Sequence, residues 1–202
     1  MHSKRKPIST SRAVTIVREM ILLRGGYVGE FEFFRMTELW ESLADDKIVR
    51  IRTFKPRSSD VNRRKASAIR FGDQVTLSVD NDYWERALRG ENFPNFTLAH
   101  EFGHIELNHH TNQAGTKNFQ LTARQADFAN IPPNEEEFEA NLAAVALQCG
   151  TALLNRGVDA EDLAKRASSD YTWVKKVVQF CKLEAFQNEI NRPRPTYPRV
   201  IL

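Results

Sequence analysis

Cysteine is scarce in this sequence, with two among 202 residues. Neither Cys149 nor Cys181 belongs to a C-x-x-C pair, which argues against a cysteine-based zinc site or a disulfide framework. Both sit among apolar residues, as buried thiols of a reducing compartment do. Long apolar runs are missing as well. The run from Ala13 to Leu23 is broken by Arg18 and Glu19, and no segment approaches the roughly 20 apolar residues that span a bilayer. The basic start MHSKRKPISTSR leads into no apolar stretch of signal-peptide length, so a cytoplasmic location without membrane contact is expected. Strong charge of one sign is also absent. A net charge of +3 spread over scattered basic residues permits nucleic-acid binding but does not argue for it.

What is present describes an ordinary globular chain, 41% hydrophobic and 27% charged, long enough for one large domain or two small ones. Apolar residues at Val14, Val17, Ile21 and Leu22 predict a helix over 11–24, ended by Gly25 and Gly26. A second helix is expected within 31–44 and a short strand at 48–51. The stretch from Lys55 to Lys65, with Pro56, Ser58, Ser59, Asp60 and Asn62, reads as an exposed basic loop. Ile69, Phe71, Val75, Leu77 and Val79 alternate with polar residues around Gly72-Asp73, a hairpin signature. Helices follow at 83–88, 95–109, 134–154, 159–167 and 171–185, and the tail NRPRPTYPRV is expected to be extended.

The chemistry is concentrated in His100-Glu101-Phe102-Gly103-His104. Residues four apart on a helix project from one face about one turn, roughly 6 Å, apart, so His100 and His104 can aim two imidazole nitrogens at one ion. Catalytic zinc uses three protein ligands and leaves a position for water. Glu101, next to the first histidine, is placed to take a proton from that water and return it to a leaving amine. A chance H-E-x-x-H arises about once per hundred chains of this composition, and the preceding strand and surrounding apolar pattern raise its weight.

The third ligand must come from another helix. Glu135-Glu136-Glu137-Phe138-Glu139 opens the helix that continues as Ala140-Asn141-Leu142. The apolar face appointed by Phe138, Leu142 and Val145 favours Glu139, with Glu136 in reserve. His109 and Tyr83 are further candidates, as donors to a substrate or to a developing oxyanion.

Phe96-Thr97-Leu98-Ala99-His100-Glu101-Phe102-Gly103-His104-Ile105-Glu106-Leu107, followed by Glu139-Ala140-Asn141-Leu142-Ala143-Ala144, resembles the ImmA/IrrE family of zinc metallopeptidases. The resemblance covers roughly 74–154. It implies one zinc ion on His100, His104 and Glu139, with Glu101 as catalytic base; two imidazoles and a carboxylate also accept Mn2+ or Fe2+. It further implies an α+β zincin-like domain whose strand 75–79 holds an extended peptide at a sheet edge. The implied substrate is a DNA-binding transcriptional repressor or similar regulatory protein. Two departures stand out: Ala146-Leu147-Gln148-Cys149-Gly150 replaces an "LLMP"-like segment, and Asn108 stands where histidine is common, with His109 and His110 beyond it.

The expected organisation is a flexible start over 1–10, a zincin-like metallopeptidase domain with a small antiparallel or mixed sheet over 11–155, a C-terminal helical extension over 156–190 and a Pro/Arg-rich tail over 191–202. Two other readings accompany the endopeptidase. One is a metal-containing binding module of a toxin–antitoxin or phage regulatory system that does not cleave. The other is a nucleic-acid binder using the 55–65 loop and Lys175, Lys176 and Lys182.

Overall fold

A computed structural model describes residues 8–28, 32–55, 65–109 and 135–193. The 55–65 loop, apart from its two ends, and His110 lie outside the described residues, as does most of the tail.

Two helices open the chain, α1 (Thr10–Tyr27) and α2 (Met36–Asp45). The Ser9 hydroxyl caps α1 by accepting from the Arg12 amide. Contrary to expectation, α1 does not stop at Gly25-Gly26 but runs through both to Tyr27. Each glycine costs a helix about 1 kcal/mol relative to alanine. A buried Arg24 outweighs this, since its guanidinium reaches across to the carbonyls of Leu147 and Gln148 and also binds that of Glu32.

Among the described residues the sheet has three strands, β1 (Val49–Phe54), β2 (Ala66–Phe71) and β3 (Gln74–Asp80), in the order β1-β3-β2. β2 and β3 form the expected hairpin, and Gly72 turns it at φ 59°, a left-handed conformation that glycine adopts without penalty. β1 runs parallel to β3 on the other side. Strand 75–79 is therefore central, with both edges paired. It cannot take a peptide by edge addition, and among the described residues the sheet's edges belong to β1 and β2.

Asp80 caps α3 (Asn81–Leu88) through the Asp82 amide, and α4 (Asn92–Glu106) follows. α5 (Glu135–Cys149) crosses α4, then a 3-10 turn (Gly150–Leu154) leads to α6 (Ala160–Arg166), α7 (Tyr171–Cys181) and α8 (Glu184–Ile190). Every residue of α4 from Pro94 to Ile105 is buried, and so is every residue of α5 from Glu139 to Cys149. These two helices are the middle of the molecule rather than its wall. The helix expected over 171–185 breaks at Lys182, and the new direction carries Phe186 into the core.

The C-terminal helices share that core. Leu163, Trp173, Val174 and Phe186 belong to one buried cluster with Val14, Leu98 and Val145. Trp173 stacks on Phe96 of α4, ring centroids 6.5 Å apart at 12°, and meets Phe138 of α5 edge-on. Lys175 and Lys176 lie on the exposed side of α7.

Gly103 sets how closely α4 and α5 approach. A Cβ there would lie 3.0 Å from the Ala140 carbonyl oxygen and 3.1 Å from the Ala143 Cβ. Gly103→Leu should force the helices apart and lower stability by about 1–3 kcal/mol, read from the urea midpoint. An unchanged midpoint would mean that the helices do not touch at this residue.

Candidate metal centre

The two imidazoles on α4 converge as their spacing requires: His100 Nε2 lies 3.0 Å from His104 Nε2. The third side chain is Glu137. Its Oε2 is 3.3 Å from His100 Nε2 and its Oε1 is 3.6 Å from His104 Nε2. Together, His100, His104 and Glu137 could hold a metal ion.

The geometry suits a small cation. Ligands about 2.05 Å from a tetrahedral metal lie about 3.3 Å from one another, the middle of the observed range. Among the described residues, Glu137 Oε1 is buried and makes no hydrogen bond, a costly state for a carboxylate oxygen that a cation would relieve. The group is nearly closed, with both histidine side chains 1% exposed and Glu137 22%, so solvent reaches it on the Glu137 side.

Glu139 does not join this group. Its Oε1 accepts from Arg12 Nε at 2.9 Å, and its Oε2 accepts from Arg12 Nη2 at 2.6 Å and His109 Nε2 at 3.2 Å. The carboxylate beside the histidines is Glu137, two residues earlier, and Glu136, the reserve, is not part of the group either. Successive helical residues turn by about 100°, so the face of α5 that meets α4 is shared by residues four apart. Asn141 identifies that face, because its Oδ1 lies 2.8 Å from His100 Nδ1, and Glu137 is one turn before it. Since α5 is enclosed on all sides, its apolar residues do not reveal which side meets α4. A usable signal was nonetheless present: Glu137 and Asn141 are polar residues four apart, matching His100 and His104.

Glu101 follows His100 directly and is 5% exposed. Its Oε2 accepts the Ala68 amide at 3.0 Å, which ties α4 to β2. Tyr83 is placed elsewhere. Its hydroxyl is 2.8 Å from Thr97 Oγ1, and burial pushes its pKa up to about 12, so it serves as a packed link between α3 and α4. His109 is buried, with one ring nitrogen against Glu139 and the other 2.8 Å from His104 Nδ1, and both are thereby engaged within the protein.

Electrostatics divides the histidines. Burial works against a charged His100, but Glu137, Glu101 and the Asn141 amide outweigh it and raise its pKa. For His104, burial together with neighbouring His100 and His109 outweighs Glu137 and lowers the pKa to about 4. Glu137 is also desolvated, yet the two histidines hold its carboxyl below the usual range. The surroundings thus push the two imidazoles in opposite directions, and a metal would displace any proton held on the His100 nitrogen that faces Glu137.

Comparison with family models, curated proteins and solved structures finds no match to this chain. Among the described residues no helix is long and apolar enough to cross a membrane.

Glu137→Ala should abolish stoichiometric Zn2+ or Co2+ binding in equilibrium dialysis; retained binding would place the third ligand elsewhere. For the wild type, the metal must displace the proton that His100 holds below its raised pKa. The Kd should therefore rise by about tenfold per pH unit on acidification below that pKa and level off above it, as read by Co2+ titration.

Proposed function

We propose that the protein is a zinc-dependent endopeptidase that cleaves a cytoplasmic regulatory protein, in the first instance a DNA-binding transcriptional repressor. The observation that carries the proposal is the position of Glu101. It sits beside a His–His–Glu group of suitable size, with its carboxylate held by the Ala68 amide. A purely structural metal site would need no such neighbour and would more often use cysteine, which the site lacks. The substrate class rests on the resemblance to the ImmA/IrrE peptidases.

His100, His104 and Glu137 would hold the ion, which when bound supplies Lewis acidity and lowers the pKa of water at the remaining position. Glu101 would accept the proton of the attacking water and deliver it to the leaving nitrogen of the scissile peptide. The bond from Ala68 keeps this carboxylate fixed while the proton passes.

An extended substrate would need a strand at the edge of the sheet, and among the described residues β2 is such a strand. Phe71 and Gln74 flank a two-residue turn and form a hydrogen-bonded pair, so the backbone groups of Ala66, Ala68 and Arg70 point away from β3. The bond from the Ala68 amide to Glu101 agrees with this register and places the edge beside the proposed base. The substrate would then lie along β2, beside Glu101.

Co-expression with DNA-binding regulators from the same genome tests the reading. The wild type should yield discrete fragments, identified by mass spectrometry, while Glu101→Gln should yield none and still bind Zn2+. A removed base typically costs about 100- to 10,000-fold in rate. Equal cleavage by the Glu101→Gln variant would sink the proposal.

A further inference from the structure

α4 ends in a turn that returns the chain to the metal group. Leu107 is the C-cap, and Asn108 follows at φ 54°, a left-handed conformation that asparagine tolerates better than most side chains. The Asn108 amide donates to the Ile105 carbonyl at 3.2 Å and the His109 amide donates to the His104 carbonyl at 3.1 Å. This pair of bonds is the Schellman ending of a helix. Its effect is to lay His109 against His104, ring centroids 5.0 Å apart. The departure from the family pattern at Asn108 thus has a structural meaning: asparagine makes the turn, and the next residue carries the imidazole back.

We propose that His109, Glu139 and Arg12 form a positioning relay behind His104, in which a carboxylate clamped by arginine dictates the tautomer of His109 and, through it, that of His104. The relay rests on the reading of His100, His104 and Glu137 as metal ligands.

The direction of the hydrogen bonds carries the inference. Arg12 donates to both oxygens of Glu139, so Glu139 is an acceptor in all its contacts. The bond between His109 and Glu139, 3.2 Å, must then use the proton on His109 Nε2. In the proposed relay His109 carries its proton there alone and presents a lone pair at Nδ1. Across the 2.8 Å contact between the two Nδ1 atoms the donor is therefore His104. With its proton on Nδ1, His104 directs the Nε2 lone pair toward His100 and Glu137, as ligation demands.

His100 and His104 are thus oriented by different means. His100 Nδ1 meets the Asn141 amide oxygen, a single neutral acceptor. His104 is backed by a chain ending in a charge, and that chain spans α1, the turn after α4 and α5. His109 and Glu139 are both buried, at 8% and 7% exposure, and this low-dielectric setting strengthens the chain. Positioning groups of this kind fix ring orientation and raise ligand basicity, and their loss typically weakens metal binding by about 10- to 100-fold.

The test uses metal-free protein labelled with 15N-histidine. Long-range 1H–15N correlation should find the His104 proton on Nδ1 in the wild type. His109→Phe keeps the ring and removes the acceptor, so it should shift His104 toward the other tautomer. His109→Asn, whose Oδ1 can accept near the place of Nδ1, should restore it. In the second arm, Co2+ competition against a chelator should show affinity weakened by about 10- to 100-fold for His109→Phe and Glu139→Gln, with recovery in His109→Asn. A wild-type His104 protonated on Nε2, or a His109→Phe variant with unchanged tautomer and affinity, would overturn the relay. If the wild type binds no Co2+, the metal reading fails by itself and the tautomer measurement still decides the relay.

Discussion

The candidate site depends on how closely two helices can approach. α4 carries both histidines and α5 carries the carboxylate, and they meet where Gly103 leaves room for the backbone and side chains at Ala140 and Ala143. Even a Cβ there would make its neighbours give by a few tenths of an ångström, and the contacts from Glu137, at 3.3 and 3.6 Å, have little slack. The apolar groups packed around this crossing include Phe96, Leu98, Phe102, Leu142, Val145 and, through α7, Trp173. Much of the molecule can be understood as packing that keeps α4 and α5 in contact along this line.

Burying several polar groups at that crossing would be costly without internal partners. His100 has Asn141, His104 has His109, Glu139 has Arg12, and Glu101 has the Ala68 amide. Among the described residues Glu137 Oε1 is the exception, buried without a hydrogen bond 3.6 Å from His104 Nε2. The partners come from α1, β2, α5 and the turn after α4, so the site is assembled from across the fold. Arg12 and Ala68 illustrate the point, since neither lies near the histidines in the chain.

The parts of this arrangement that were legible in the sequence are those governed by short-range geometry. The pairing of His100 with His104 follows from the pitch of one helix, and the β2–β3 hairpin follows from alternation around Gly72-Asp73. Most of the helices were likewise readable, with ends misplaced where tertiary contacts intervene, as at Gly25-Gly26 and Lys182. Less could be read of the partners. Glu139 looked like a ligand because it adjoins apolar residues, yet on a helix enclosed from all sides that adjacency holds for every direction. His109 and Tyr83 looked available for substrate because their side chains can donate, whereas Glu139, His104 and Thr97 engage them inside the protein.

By itself, the sequence determined that two imidazoles and a neighbouring carboxylate stand on one helix, because a regular helix converts a spacing of four residues into a shared face. The tertiary structure alone decided that Glu137 completes the group and that strand 75–79 is central while β2 forms the edge. It also sent Glu139 to Arg12 and His109. The reason is physical. Which side of α5 meets α4, and which strand lies outermost, depend on the orientation of elements about their own axes and on their order in space. Neither quantity is written in the period of a buried segment, and both are set by packing contacts between residues far apart in the chain.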